Sequence, residues 1–177
     1  MARRRSRKTP IHSWPNRDQE GKAVTKDASA NRNQPLPGWR VLDMSRAIAG
    51  PYAARVLSDL GADVVKLEGP RADIAEHFGT VIDGRSGLYA QMNAGKRSVG
   101  VDLSAPAASE LVRDLATHAD VVIENFRPGV MARLGLGYPQ LSAANPGLVM
   151  LSVSGFGPDG PDAQRRALAP VIHRASS

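Results

Sequence analysis

The chain has 177 residues, 42% of them apolar and 23% charged, enough for one domain of ordinary size with a substantial core. It contains no cysteine, which excludes a disulfide scaffold, a thiolate metal site and a cysteine nucleophile, and it has no run of about 18 apolar residues to cross a membrane. The net charge of +6 sits entirely in residues 1–35, which hold nine Lys/Arg against three Asp/Glu, whereas residues 36–177 hold 14 of each.

Residues 1–35 begin with Arg3, Arg4, Arg5, Arg7 and Lys8 and continue through polar residues. They lack the apolar segment of a secretory signal and the amphipathic face of a mitochondrial transit peptide. A basic arm touching nucleic acid is an alternative, but the low hydrophobicity predicts a disordered leader. The body, residues 36–177, is therefore read as a separate unit with neither a nucleic-acid nor a membrane partner.

From Leu36 onward, strand and helix patterns alternate. Trp39–Met44 is a short apolar run suited to a buried strand. Gly50 and Pro51 then introduce a helix, with Pro51 in its first turn, and Gly61 closes it. Tyr52, Val56, Leu57 and Leu60 are expected on its inward face. Asp63–Glu68 is a second strand. Residues 69–95 are irregular apart from a short helix near Leu88–Asn93. Ser98–Leu103 is a third strand, after which Ser104 can cap a helix beginning near Pro106, with Leu111, Val112 and Leu115 inward. Asp120–Glu124 is a fourth strand. Short helices near Val130–Leu134 and Tyr138–Ala144 lead to a fifth at Leu148–Val153. This alternation predicts a doubly wound, Rossmann-like α/β domain with parallel strands and right-handed crossovers.

Several motifs fail on inspection. Gly155–Gly160 (GFGPDG) spells a dinucleotide fingerprint, but Pro158 and Pro161 prevent a helix from starting there, so a loop is expected. The NAGKRS segment ends like a phosphate-binding loop. However, Ala90 stands where that loop needs glycine, and Arg97 follows Lys96 where Ser or Thr is required. His12, His77, His118 and His173 have no metal-ligand spacing; His118 is better placed to end a helix. No G-x-S-x-G elbow is present.

Ligands of such sheets sit beyond the carboxyl ends of the strands. After the first strand come Asp43, Ser45, Arg46, Ala49 and Gly50, where small residues would let a ligand approach a helix N-terminus. After the fourth come Asn125, Phe126, Arg127 and Arg133, which suit a phosphorylated ligand bearing a flat base. The same arginines could equally be solvated surface charges.

In order, WRVLDMSRAIAGPYAARVLSDLGADVVKLEGP, NAGKRSVGVDL, ADVVIENFRPGVMARLGLGYPQLSAANPGLVMLSVSGFGPDGP and RRALAPVIH resemble the class III CoA-transferase family, which includes formyl-CoA transferase, carnitine-CoA transferase and α-methylacyl-CoA racemase. The resemblance implies CoA or acyl-CoA as substrate, a carboxylic acid as acceptor and no permanently bound cofactor. It implies CoA contacts at Ile48 and Ala49, at Val101, Asp102, Leu103 and Ser104, at Asn125, Phe126 and Arg127, at Arg133, and at Arg166. It also implies interlocked dimers and a cytoplasmic location. Members are more than twice as long as residues 36–177, and their nucleophilic aspartate lies downstream of the segment equivalent to His173. No catalytic residue is therefore assigned; Asp159 and Asp162 lie in the wrong loop. The racemase histidine corresponds to Leu168, which disfavours racemase chemistry, and Arg71 is a candidate for a basic residue that some members carry near Gly69. The expectation is an N-terminal portion of a CoA-transferase, inactive alone. The alternative is a CoA-binding module without catalysis, or half of a split enzyme completed by a partner chain.

Overall fold

A computed structural model describes residues 34–165 and residue 167; the leader through residue 33, Arg166, Leu168 and His173 lie outside the described residues. Short aliphatic runs form five main strands: β1 (Arg40–Asp43), β2 (Asp63–Glu68), β5 (Arg97–Gly100), β6 (Val121–Glu124) and β7 (Val149–Ser152). Between β2 and β5, β3 (Val81–Ile82) and β4 (Arg85–Ser86) make a small antiparallel hairpin. The main strands pair in parallel in the order β5-β2-β1-β6-β7. The chain leaves β1 through α1 (Ala49–Asp59) and works outward to β5, passing α2 (Gly87–Asn93). It returns through α3 (Ala108–Thr117) to lay β6 on the other side of β1, then reaches β7 through α4 (Val130–Arg133) and α5 (Tyr138–Ala144). Strand order thus reverses between β1 and β6, the switch point at which α/β sheets open a crevice.

Alternation along the central strands divides the core into two layers, because successive side chains point to opposite sheet faces. Val41, Val64, Val121 and Ile123 face Ala54 of α1, whereas Leu42, Leu67 and Val122 pack with Val112 and Leu115 of α3 and with Met131, Leu136 and Leu141. Both faces are covered at β1 and β6, which are buried along their whole length, whereas Val149 (55% exposed) and Leu151 (40%) leave one face of the edge strand β7 open. At the far end of α3 the Asn145 amide donates to the carbonyls of Ala116 (3.2 Å) and Ala119 (2.8 Å). His118 is the C-cap residue, as its position predicts.

Three sequence expectations are corrected. The inward face of α1 is Gly50, Pro51 and Ala54 with Leu57 partly buried, while Tyr52 (56% exposed), Val56 (39%) and Leu60 (37%) face outward. Small residues win because the first turn sits so close to Ser45 that a Cβ on Gly50 would lie 2.3 Å from the serine Cβ. Ser104 does not cap α3, which starts without a side-chain cap; its amide (2.9 Å) and hydroxyl (2.7 Å) donate instead to Asp102. That local bond competes with helix capping, as short polar side chains commonly do. The third main strand, β5, ends at Gly100, although the Val101 amide still donates to Glu68 at 2.8 Å.

Candidate functional site

The loops leaving the carboxyl ends of β1, β2, β5 and β6 surround a cleft of about 650 Å³. Its walls are Met44–Arg46, Lys66–Asp73, Val101–Ser104 and Phe126, with Glu76 and Tyr89 at one end. Its volume lies within the range of small-molecule sites.

The β1–α1 loop forms one wall and is held from three sides. From below, the Asp43 carboxylate accepts the Ser45 amide (3.0 Å) and the Ser45 hydroxyl, while Lys66 donates to the Ser45 carbonyl at 2.8 Å. From β6, Asn125 accepts the Arg46 amide (2.8 Å) and donates to the Arg46 carbonyl (2.7 Å). From the β2 loop, Asp73 accepts the Ala47 amide at 2.9 and 3.1 Å. Ala47 has φ 63°, a left-handed conformation that is uncommon for alanine and persists where surrounding bonds enforce it. Arg46 reaches across to the carbonyls of Arg71 (3.2 Å) and Ala72 (2.9 Å), tying this wall to the next.

The carboxylates around the cleft are engaged in local structure. Asp73 and Glu76 form a capping box on the short 3₁₀ turn Ile74–His77. Glu68 accepts the Tyr89 hydroxyl; burial, this bond and the nearby acidic groups hold that phenol far above its ordinary pKa, so it stays protonated. Asp102 is held below the usual carboxylate range by the Ser104 hydroxyl and amide, with Arg71 adding to the effect. Among the described residues no cluster of three or more His, Cys, Asp or Glu could hold a metal ion, and no helix is long and apolar enough to cross a membrane.

Of the residues singled out from sequence, Val101, Asp102, Leu103, Ser104 and Phe126 come together as cleft lining. Asn125 stands beside them, with its amide spent on the Arg46 backbone. Ile48 and Ala49 are exposed at the start of α1, and Arg127 and Arg133 are exposed beyond β6, all outside the cleft lining. Arg166 lies outside the described residues. Sequence reasoning missed Lys66, Lys96, Asp73 and Tyr89. For Lys66 the available signal was a lysine set between Val65 and Leu67 in the strand DVVKLE, since a central parallel strand leaves no solvent for an ammonium.

A five-stranded parallel sheet with flanking helices and a cleft at its carboxyl edge defines a doubly wound α/β protein, a class whose ligands are held by the loops at that edge. The chain belongs to CoA-transferase family III, whose sequence profile matches residues 36–177. It is 42% identical over 147 residues to a probable fatty acyl-CoA transferase of Mycobacterium tuberculosis, covering 81% of this chain and 37% of that protein. It is 41% identical over 145 residues to the alpha subunit of succinyl-CoA–L-malate CoA-transferase of Chloroflexus aurantiacus, covering 80% and 34%. Human succinyl-CoA:glutarate CoA-transferase is 37% identical over 148 residues, 82% of this chain and 34% of the human one. A solved structure of a CAIB/BAIF family protein from Brucella suis superposes with TM-score 0.75 at 40% identity, over 81% of this chain and 39% of that one. The chain thus spans about a third of the length of the curated relatives it matches.

Proposed function

We propose that residues 36–177 form the CoA-binding, parallel-sheet portion of an enzyme that passes CoA from an acyl-CoA to a carboxylic acid. The observation that carries this reading is the cleft at the switch point, where the matched segments converge: Met44–Arg46, Gly69–Arg71, Val101–Ser104 and Phe126. Phe126 offers a flat apolar face for a base, and Arg71 brings a guanidinium to the wall for a phosphate. Arg127 and Arg133 lie on the β6 side, where an extended ligand leaving the cleft would meet further cations. CoA is long enough to use both the cleft and this outer region, which is how residues in and out of the lining can serve one ligand.

No catalytic nucleophile is assigned here. Covalent acyl transfer needs a carboxylate directed at the thioester carbonyl, whereas Asp73, Glu68 and Asp102 accept bonds that hold the cleft walls. Assembly with a second chain is part of the proposal. Two Chloroflexus aurantiacus relatives are named as alpha and beta subunits, and the outer face of α1 carries Tyr52, Val56 and Leu60 exposed beside Ile48, apolar surface of the kind that association covers.

Calorimetric titration of the chain with CoA tests this reading. Binding is expected, weakened about tenfold by Arg71→Ala, the scale of one charge-assisted hydrogen bond. A folded chain that takes up no CoA would overturn it.

A further inference from the structure

Asp43 and Lys66 are Cα partners across β1 and β2, and by strand alternation both point toward the α1 layer with Val41 and Val64. The side chains of Asp43, Lys66 and Lys96 are 0%, 3% and 1% exposed. Lys96 comes from the turn before β5, yet its ammonium reaches Asp43 (2.8 Å), the Pro51 carbonyl in the first turn of α1 (2.8 Å) and the Asn93 side chain at the end of α2 (3.0 Å). All three of its protons are thereby used. Lys66 lies 3.8 Å from Asp43 and spends a proton on the Ser45 carbonyl. Every polar atom of Ser45 is thus gripped by this cluster: amide and hydroxyl by Asp43, carbonyl by Lys66.

Two buried ammonium groups facing one buried carboxylate are a poor way to stabilise a fold, since desolvation offsets most of the Coulomb attraction and apolar packing commonly does as well or better. What the cluster achieves that methyl groups could not is directional. Its bonds end on the backbone of the cleft wall and on the first turn of the helix behind it.

We propose that Lys66 and Lys96 are positioning residues for the cleft, fixing the Met44–Ala47 wall through Asp43, Ser45 and Pro51. This rests on the reading of the cleft as the CoA site. Removing either lysine leaves the other opposite Asp43, a one-to-one charge balance, so each single variant keeps a compensated interior. An arginine cannot substitute at 96, because a planar fork does not meet three acceptors converging on one point.

The test compares the parent chain with Lys66→Met, Lys96→Met and Lys96→Arg, reading amide hydrogen exchange at Ser45–Ala47, exchange in β6, and CoA affinity. Exchange at Ser45–Ala47 should quicken about tenfold in each variant, the scale of one lost net hydrogen bond, with β6 unchanged and CoA binding weakened by a similar factor. Unchanged loop exchange overturns the inference, as does acceleration spread evenly through β6, which would make the lysines merely structural. A freed loop with undiminished CoA affinity in a CoA-binding parent overturns it as well. If the parent binds no CoA, the functional reading fails, and the exchange pattern alone still decides whether these lysines set the wall.

Discussion

Replacing Gly50 with alanine separates two reasons for a glycine at this point. If the residue is small only so that a ligand can approach the backbone, alanine should stabilise the free protein by about 0.5–1 kcal/mol, the usual helical advantage over glycine. The structure gives a different expectation. The new methyl would lie 2.3 Å from the Ser45 Cβ and 2.5 Å from its Oγ, whereas carbon atoms rest at about 3.5–4.0 Å. Helix or loop must therefore move by roughly 1 Å or more. Ser45 cannot yield freely, because Asp43 and Lys66 hold its amide, hydroxyl and carbonyl. Overpacking of this kind costs about 1–3 kcal/mol, and a 2.3 Å approach to a held side chain belongs in the upper half, about 2–3 kcal/mol. Less a helical gain of about 1 kcal/mol, the net loss should be about 1–2 kcal/mol. At about 4 °C per kcal/mol for a domain of this size, the Tm should fall by about 4–8 °C. The double variant Gly50→Ala with Ser45→Gly removes the colliding side chain. Thermal melts of the four proteins in the cycle should then show a favourable coupling of about 1 kcal/mol or more. A Gly50→Ala protein that melts at or above the parent temperature would refute the packing argument.

Arg133 is exposed, so Arg133→Ala should leave the Tm nearly unchanged while weakening CoA binding by about 1.5–3 kcal/mol in calorimetry; equal affinity would mark it as a solvated charge. Burial lowers the Lys96 pKa from the ordinary 10.5, with Asp43 opposing and Lys66 and Arg55 adding to the fall. The folded chain then binds fewer protons than the unfolded one between that lowered value and 10.5. Its stability should rise with pH across this interval, and urea midpoints of Lys96→Met should lack the rise. Incubation of the 177-residue chain with an acyl-CoA should yield no hydroxylamine-trappable acyl-enzyme, since the cleft carboxylates are engaged in holding its walls; a trapped acyl group would reveal an unassigned nucleophile. Deleting residues 1–35, read from their polar and basic composition as a leader separate from the body, should leave the melt unchanged, and a large fall in Tm would refute that reading.

The sequence by itself determined the order of the five main strands and their helices, because that order is written in local periodicity; the β3–β4 hairpin and the Ile74–His77 turn, in a stretch read as irregular, left no such pattern. The aliphatic residues of DVVKLE and VVIE specify strands, Gly61 follows the end of α1 with φ 101°, and the strand–helix alternation leaves parallel pairing as the economical topology. The family resemblance implied Val101–Ser104 as CoA contacts and the chemistry after the fourth main strand singled out Phe126; the structure brings both to the lining of one cleft at the carboxyl ends of the strands. Tertiary structure decided what these local signals could not. The inward face of α1 is set by how closely the helix approaches Ser45, a distance between segments with no trace in the helix's own pattern, so Tyr52 and Val56 point outward while Leu57 stays partly buried. Asn125 looks like a ligand contact in sequence, but its partner is the Arg46 backbone, 79 residues away. Lys96 belongs to a failed phosphate-loop motif until β2 and β5 pair and carry it beneath α1 to Asp43, 53 residues distant. Buried polar groups must find partners wherever the fold brings them, and which partners those are is a property of the folded chain alone.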